Sequence, residues 1–217
     1  MKWKKNDCWV ASFDILGFKK LAKIKSDASY AYRILDDYEE TLSHLKTVTE
    51  YKNGDIDYCW LSDTFIMFTN DDSSYSYSLI ECSAKYFLQK CIYSGIPIRG
   101  AISVGNFVRS EDNRALMGDA FIDAFEYGED QNWLGLLLTP KAIKKARLLE
   151  LEPLRHDFIS SKKIPMRKKT DQVVLAYKFQ NGESTFSSPL IPHLIEMKKA
   201  SDDIYHEKYD NTIDFIG

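Results

Sequence analysis

Cys8-Trp9-Val10-Ala11-Ser12-Phe13-Asp14-Ile15-Leu16-Gly17-Phe18 is the stretch on which the reading of this chain turns. Residues 8–13 form a short apolar run with β character, and Asp14 ends it. Gly17 follows, and then a helical stretch with breaks over roughly residues 18–50. There Tyr30, Ile34, Leu35, Tyr38, Leu42 and Leu45 recur at spacings of three and four. A carboxylate where a buried strand gives way to a helix lies beside backbone amides that have no intrahelical partner. Such a group serves as a helix N-cap, or it holds a metal ion that bridges to phosphate.

Downstream, Asn53-Gly54-Asp55 is a turn signal. Residues 56–61 and 64–69 are aromatic and β-branched runs separated only by Ser62-Asp63, which predicts a hairpin. Residues 70–74 can cap a helix over 75–93, with Leu79, Cys82, Tyr86 and Phe87 on one face; Gly95 and Pro97 end it. A strand is predicted over 98–108, a helix from Gly118 to about Tyr127, a buried strand over 133–139 and a helix from Pro140. A strand over 156–160, a basic turn over 162–169 and a strand over 172–179 follow, then a polar linker over 180–188 and a helical tail whose apolar face is Leu190, Leu194, Met197 and Ile204. This order favours an α+β fold, helices packed on a largely antiparallel sheet. Residues 1–180 read as one domain, and 181–217 as linker and tail. Asp63 is at a turn, where Asp is common. If its strand neighbours that of Asp14, however, the two carboxylates converge at one sheet end and can share divalent cations.

Composition narrows the field. Of 217 residues, 44% are hydrophobic and 28% charged, ordinary values for a globular chain. The net charge of −3 speaks against a nucleic-acid binder, although a few local cations can still hold a small anion. Apolar runs such as Leu134-Gly135-Leu136-Leu137-Leu138 fall far short of the ~20 residues of a membrane helix, and residues 8–13 are too short for a secretory leader. Cys8, Cys59, Cys82 and Cys91 form no metal-binding spacing and read as buried free thiols, so a cytoplasmic protein is expected.

Four motifs, in order, resemble one family. Phe13-Asp14-Ile15-Leu16-Gly17-Phe18 is similar to the Phe-x-Asp-Ile-x-Gly-Phe opening of class III nucleotidyl cyclase domains. Leu61-Ser62-Asp63-Thr64-Phe65-Ile66-Met67 resembles their Ile-Gly-Asp-x-x-Met hairpin. The stretch from Ile98 to Gly105 resembles their Leu-Arg-x-Gly-Ile-x-x-Gly strand, and Gly118 to Ala124 their Gly-Asn-x-Val-x-x-Ala helix. Ile96-Pro97-Ile98-Arg99-Gly100-Ala101 and Lys163-Ile164-Pro165-Met166-Arg167 look most like the pyrimidine cyclases of bacterial Pycsar anti-phage systems. The resemblance implies a ferredoxin-like core and a homodimer with its sites at the interface. It places two Mn²⁺ or Mg²⁺ ions on Asp14, the Ile15 carbonyl and Asp63, and phosphates against Leu16, Gly17 and Phe18. Within a turn of three cations, Arg167, Lys168 and Lys169, it points to a phosphate-binding position that Arg167 matches best.

The departures are informative. Adenylate cyclases read adenine with a lysine that falls here at Cys59, and with an aspartate that falls near Ala115. Neither replacement can pair with a purine, and each buried group left unpaired costs ~1–3 kcal/mol. The expected substrate is therefore a pyrimidine nucleoside triphosphate. UTP is favoured over CTP by the resemblance alone, and the product cyclic UMP would be read by a separate cyclic-nucleotide-binding effector. The family's transition-state Asn and Arg fall at Ile122 and Glu126, which cannot donate to a phosphorane. Arg99 is the candidate replacement, its guanidinium fork suiting phosphate oxygens, against the alternative of a solvated strand arginine. An adenylate cyclase with unusual base recognition and an inactive sensor or dimerisation module are the rival readings. No nucleic-acid or membrane partner is expected.

Overall fold

The computed structural model describes residues 3–18, 29–110, 116–151, 158–159, 164–168, 172–179 and 189–217. Strand β1 (Trp3–Ile15) leads by way of α1 (Ser29–Val48) to the hairpin β2 (Ile56–Leu61) and β3 (Thr64–Thr69). Then come α2 (Ser74–Tyr93), β4 (Ile98–Ser110), β5 (Leu116–Met117), α3 (Asp119–Glu129), β6 (Leu136–Leu138) and α4 (Pro140–Leu148). Short strands β7 (Phe158–Ile159) and β8 (Leu175–Tyr177) precede helices α5 (Leu190–Ala200) and α6 (His206–Ile216), which are joined by a 3₁₀ turn at Asp203–Tyr205. The sheet order is β2-β3-β1-β4-β6-β8-β7, with β5 on β4. Every pairing is antiparallel except β4 with β6. No helix among the described residues is long and apolar enough to cross a membrane.

Alternation along the central strands divides the core between the two faces of the sheet. Trp9, Ala11, Phe13 and Ile15 of β1 join Phe65 and Met67 of β3 in the main cluster, which α2 covers with Leu79, Ile80, Ala84 and Phe87. Cys8 and Val10 join Ile66, Phe68 and Phe107 on the other face, under Ala120 of α3. Ser73 caps α2, its side chain accepting from the Ser76 amide, a contact that stabilises a helix by about 1 kcal/mol. Gly118 begins α3 where a Cβ would collide with the Asn106 carbonyl, so only glycine lets that helix approach β4.

Several expectations are corrected. β1 starts at Trp3 rather than at residue 8, because the long β4 pairs its backbone from Trp3↔Ser110 to Ile15↔Ile98 while exposing the polar side chains of residues 4–7. Cys59 and Cys82 are only half-buried. The strand expected over 172–179 is confined to Leu175–Tyr177, and the basic turn over 162–169 makes, among the described residues, a bridge from Met166 to Gln131. The tail is two helices, since Ser201 turns to extended backbone at φ −93° and ψ 168°. That break resets the helical phase and leaves Ile204 77% exposed instead of on the apolar face. The first part of the long helical stretch (19–28), the Tyr30 side chain, His156, Lys169, the 180–188 linker and Ala115 lie outside the described residues.

Candidate active site

Asp14, Ser12, Val10 and Cys8 point to the same face of β1, the face that α3 covers. Asp14 lies within the strand, opposite Thr64 of β3 on one side and Arg99 of β4 on the other. Asp63 is the second residue of the two-residue β2–β3 turn. Ser62 takes the left-handed conformation (φ +59°) that closes it, and the Asp63 carbonyl accepts from the Ile15 amide at 2.9 Å. The hairpin is thus bonded directly to the end of β1, and the two aspartates belong to one sheet end. The next amide, Leu16, donates to the Pro97 carbonyl at 2.8 Å, whereas the Gly17 and Phe18 amides have no partner among the described residues. Gly17 has φ +70°.

Arg99 is 2% exposed, so the solvated-arginine alternative fails. Its Nε donates to Asp14 Oδ2 at 2.9 Å, and Nη2 lies 2.8 Å from both Asp14 Oδ2 and Glu129 Oε1. Nη1 donates to the carbonyls of Glu129 (2.9 Å) and Gln131. Every guanidinium nitrogen is therefore engaged by the protein, and Arg99 acts on Asp14 by fixing its carboxylate. Burial raises the Asp14 carboxyl to about 6; Arg99 opposes the rise, and Glu129 beside it adds to it. Two carboxylates and a carbonyl at this end are hard oxygen donors, the set that Mg²⁺ or Mn²⁺ prefers, and a cation would relieve the crowding of Asp14 against Glu129. Among the described residues there is no cluster of three or more His, Cys, Asp or Glu placed to hold a metal.

The basic turn is anchored next to this point. Arg167 donates its amide to the Asp130 carbonyl at 2.6 Å, Lys168 Nζ lies 3.4 Å from Asp130 Oδ1, and the Asn132 amide donates to the Pro165 carbonyl. The side chains of Arg167 and Lys168 are exposed. Cys59 is half-buried on β2 opposite Ile66, its thiol pushed up by burial and by Asp57. Ile122 is 51% exposed on α3, and Glu126 is exposed on the same helix. Sequence reading missed Glu129 and Lys208. Glu129 closes a helix whose family motif ends before it, and Lys208 sits in a tail that carried no motif.

No protein-family model and no curated protein matches the chain. Solved structures do resemble it. The guanylyl cyclase domain of the RhoGC fusion protein from the aquatic fungus Blastocladiella emersonii aligns with a TM-score of 0.57 at 13% identity, over 82% of this chain and 98% of that one. The catalytic core of a rhodopsin-guanylyl cyclase with converted specificity, in complex with ATPαS, gives 0.55 at 12% identity, over 81% and 97%. An adenylate/guanylate cyclase/hydrolase from Silicibacter pomeroyi gives 0.54 at 13% identity, over 82% and 100%. A largely antiparallel sheet packed with helices, shared over nearly the whole of each of those domains, is the class III nucleotidyl cyclase fold.

Proposed function

We propose that this chain is a nucleotidyl cyclase that converts UTP to 3′,5′-cyclic UMP and pyrophosphate. It works as a cytoplasmic homodimer, and its product is a messenger in anti-phage defence read by a separate cyclic-nucleotide-binding effector. The observation that carries the reading is the pairing of Asp14 with the Asp63 turn at one sheet end of a cyclase fold. Asp14, the Ile15 carbonyl and Asp63 would hold two Mn²⁺ or Mg²⁺ ions, which would supply activation of the ribose 3′-hydroxyl and neutralisation of the departing pyrophosphate.

The chain's own residues do the rest. Arg99 orients the Asp14 carboxylate through paired hydrogen bonds. The amides of Gly17 and Phe18 face the phosphates; that of Leu16 is already bonded to Pro97, so Leu16 contributes position only. Arg167 and Lys168 offer charge to the β- and γ-phosphates. Cys59 and Ala115 stand at the sequence positions where the resemblance places the adenine-reading lysine and aspartate, and neither replaces that pair, which disfavours adenine.

One observation favours a second reading, an inactive cyclase-homology module: Ile122 and Glu126 occupy the transition-state positions on α3. Incubation with ATP, GTP, CTP or UTP and Mn²⁺, with products resolved by mass, decides between them. The expected result is cyclic UMP, abolished by Asp14→Asn and by Asp63→Asn. Cyclic CMP moves the substrate to CTP, and cyclic AMP moves it to ATP. No product and no Mn²⁺-dependent nucleotide binding leaves the inactive module.

A further inference from the structure

Lys208 is a lysine that the mechanism above does not use, and it is only 5% exposed. It comes from α6, in the tail beyond the cyclase motifs. Its Nζ donates to Asn132 Oδ1 at 2.7 Å, and Asn132 is the residue whose amide holds the basic turn through Pro165. The helix around it is fixed in place: Thr212 accepts from the Leu134 amide at 2.8 Å, Asn211 donates to the Asn132 carbonyl at 2.8 Å, and Tyr209 is buried. One turn earlier, the Tyr205 ring approaches Gly17 so closely that a Cβ there would lie 3.3 Å from it. The tail is therefore packed against the loop after Asp14 and against the 130–134 loop at once.

The charge at Lys208 is unbalanced. An ammonium has three donors, yet among the described residues Asn132 is the sole hydrogen-bond partner and no carboxylate lies within ion-pair distance. Burial first, then the Arg167 and Arg99 guanidiniums, lower the Lys208 ammonium to about 8, against smaller opposing effects of Glu207 and Asp14. Arg99 is already paired with Asp14 and Glu129, but burying the Lys208 ammonium against a neutral amide, without a carboxylate of its own, still lowers stability, so packing does not account for it. What such a cluster suits is a multiply charged anion. The turn that carries Arg167 is bonded to Asp130 and Asn132, next to the Glu129 and Gln131 carbonyls that hold Arg99 on Asp14, and Tyr205, one turn before Lys208, packs on Gly17; these contacts put the cluster beside the candidate metal site.

We propose that Lys208 is a triphosphate-binding residue of its own protomer's site, a cation delivered by the C-terminal helix alongside Arg167. This rests on the cyclase reading and deepens it, since the tail then becomes part of the phosphate subsite. The test compares wild type, Lys208→Met and Lys208→Arg. It measures calorimetric binding of inorganic triphosphate with Mn²⁺, the KM for whichever nucleoside triphosphate is turned over, and thermal melting. Lys208→Met is expected to weaken triphosphate binding and raise KM tenfold or more, as loss of a charge-assisted hydrogen bond does. Its melting temperature should stay unchanged or rise, and Lys208→Arg should restore most of the binding. A structural role moves the readouts the other way, with Lys208→Met melting lower and binding as wild type, and that result overturns the proposal. Wild-type binding and KM in Lys208→Met remove this inference alone. A wild-type protein that binds neither triphosphate nor any nucleotide takes the cyclase reading with it.

Discussion

Replacing Arg99 by methionine tests whether the buried ion pair organises the site. The guanidinium is 2% exposed and donates to Asp14, to the Glu129 carboxylate and to two main-chain carbonyls. Methionine fills much of the volume and restores none of these bonds. Asp14, with 17% of its side chain exposed, is then left beside Glu129 without its cation. Removing one partner of a buried pair costs about 3–5 kcal/mol. Asp14→Asn should cost less, about 1–2 kcal/mol, because Arg99 keeps Glu129 and both carbonyls. In the double variant the shared interaction is lost only once, giving a coupling of about 2 kcal/mol. Urea unfolding of the four proteins without metal, followed by circular dichroism, measures the cycle. At slopes of ~2 kcal/mol/M the Arg99→Met midpoint should fall by about 2 M. A loss below ~1 kcal/mol, additive with Asp14→Asn, would refute the reasoning, because a solvated pair contributes no more than that.

Two further predictions concern the scaffold. Burial holds the Asp37 carboxyl at about 6, with Ser94 donating to one oxygen at 2.8 Å while the other has no partner among the described residues. The folded chain therefore keeps a proton that the unfolded chain loses near pH 4, so stability falls as pH rises toward 6 and stays reduced above it. Asp37→Asn should flatten that part of the profile and raise stability at pH 8 by ~1–2 kcal/mol; parallel profiles would contradict it. In Gly100→Ala the new Cβ would lie 2.5 Å from the Phe13 ring and 2.6 Å from the Ser12 carbonyl. Such overpacking costs about 2–3 kcal/mol and should lower Tm by ~5–10 °C, whereas an unchanged melt would mean that β1 shifts freely away from β4.

The readability of the fold followed the strength of local signals. The β2–β3 hairpin was legible because Ser62-Asp63 is a turn pair between two β-forming runs, and the structure closes it at those residues. The α2 boundaries were legible from the Ser73 cap and the Gly95-Ile96-Pro97 stop. The polar start of β1 was not, because Lys4, Lys5, Asn6 and Asp7 are held by backbone pairing to β4 and leave no apolar alternation to read. The tail failed for another reason. Leu190, Leu194, Met197 and Ile204 fit a single helical period, but two extended residues, Ser201 and Asp202, shift the phase of everything after them.

Arg99 shows why the site was only partly readable. A strand arginine facing a strand aspartate can be found from register alone, but register appears only when β1 and β4 are paired. Sequence motifs carry no record of the long-range partner that decides whether a guanidinium meets substrate or protein. Glu129 and Gln131 make that decision here: they occupy the donors that a phosphate would need, and turn Arg99 toward Asp14. The same two segments bring the other cations in. Asp130 and Asn132, on either side of Gln131, bind Arg167, Lys168 and Lys208 from two distant parts of the chain. If Arg99 is committed to Asp14, positive charge for a triphosphate has to come from elsewhere. On the proposed triphosphate-binding reading, the 130–132 loop collects it from the basic turn on one side and the C-terminal helix on the other. Asn132 can be tested as that junction: Asn132→Ala should weaken triphosphate binding about as much as Lys208→Met, and the two together should do little more than either alone.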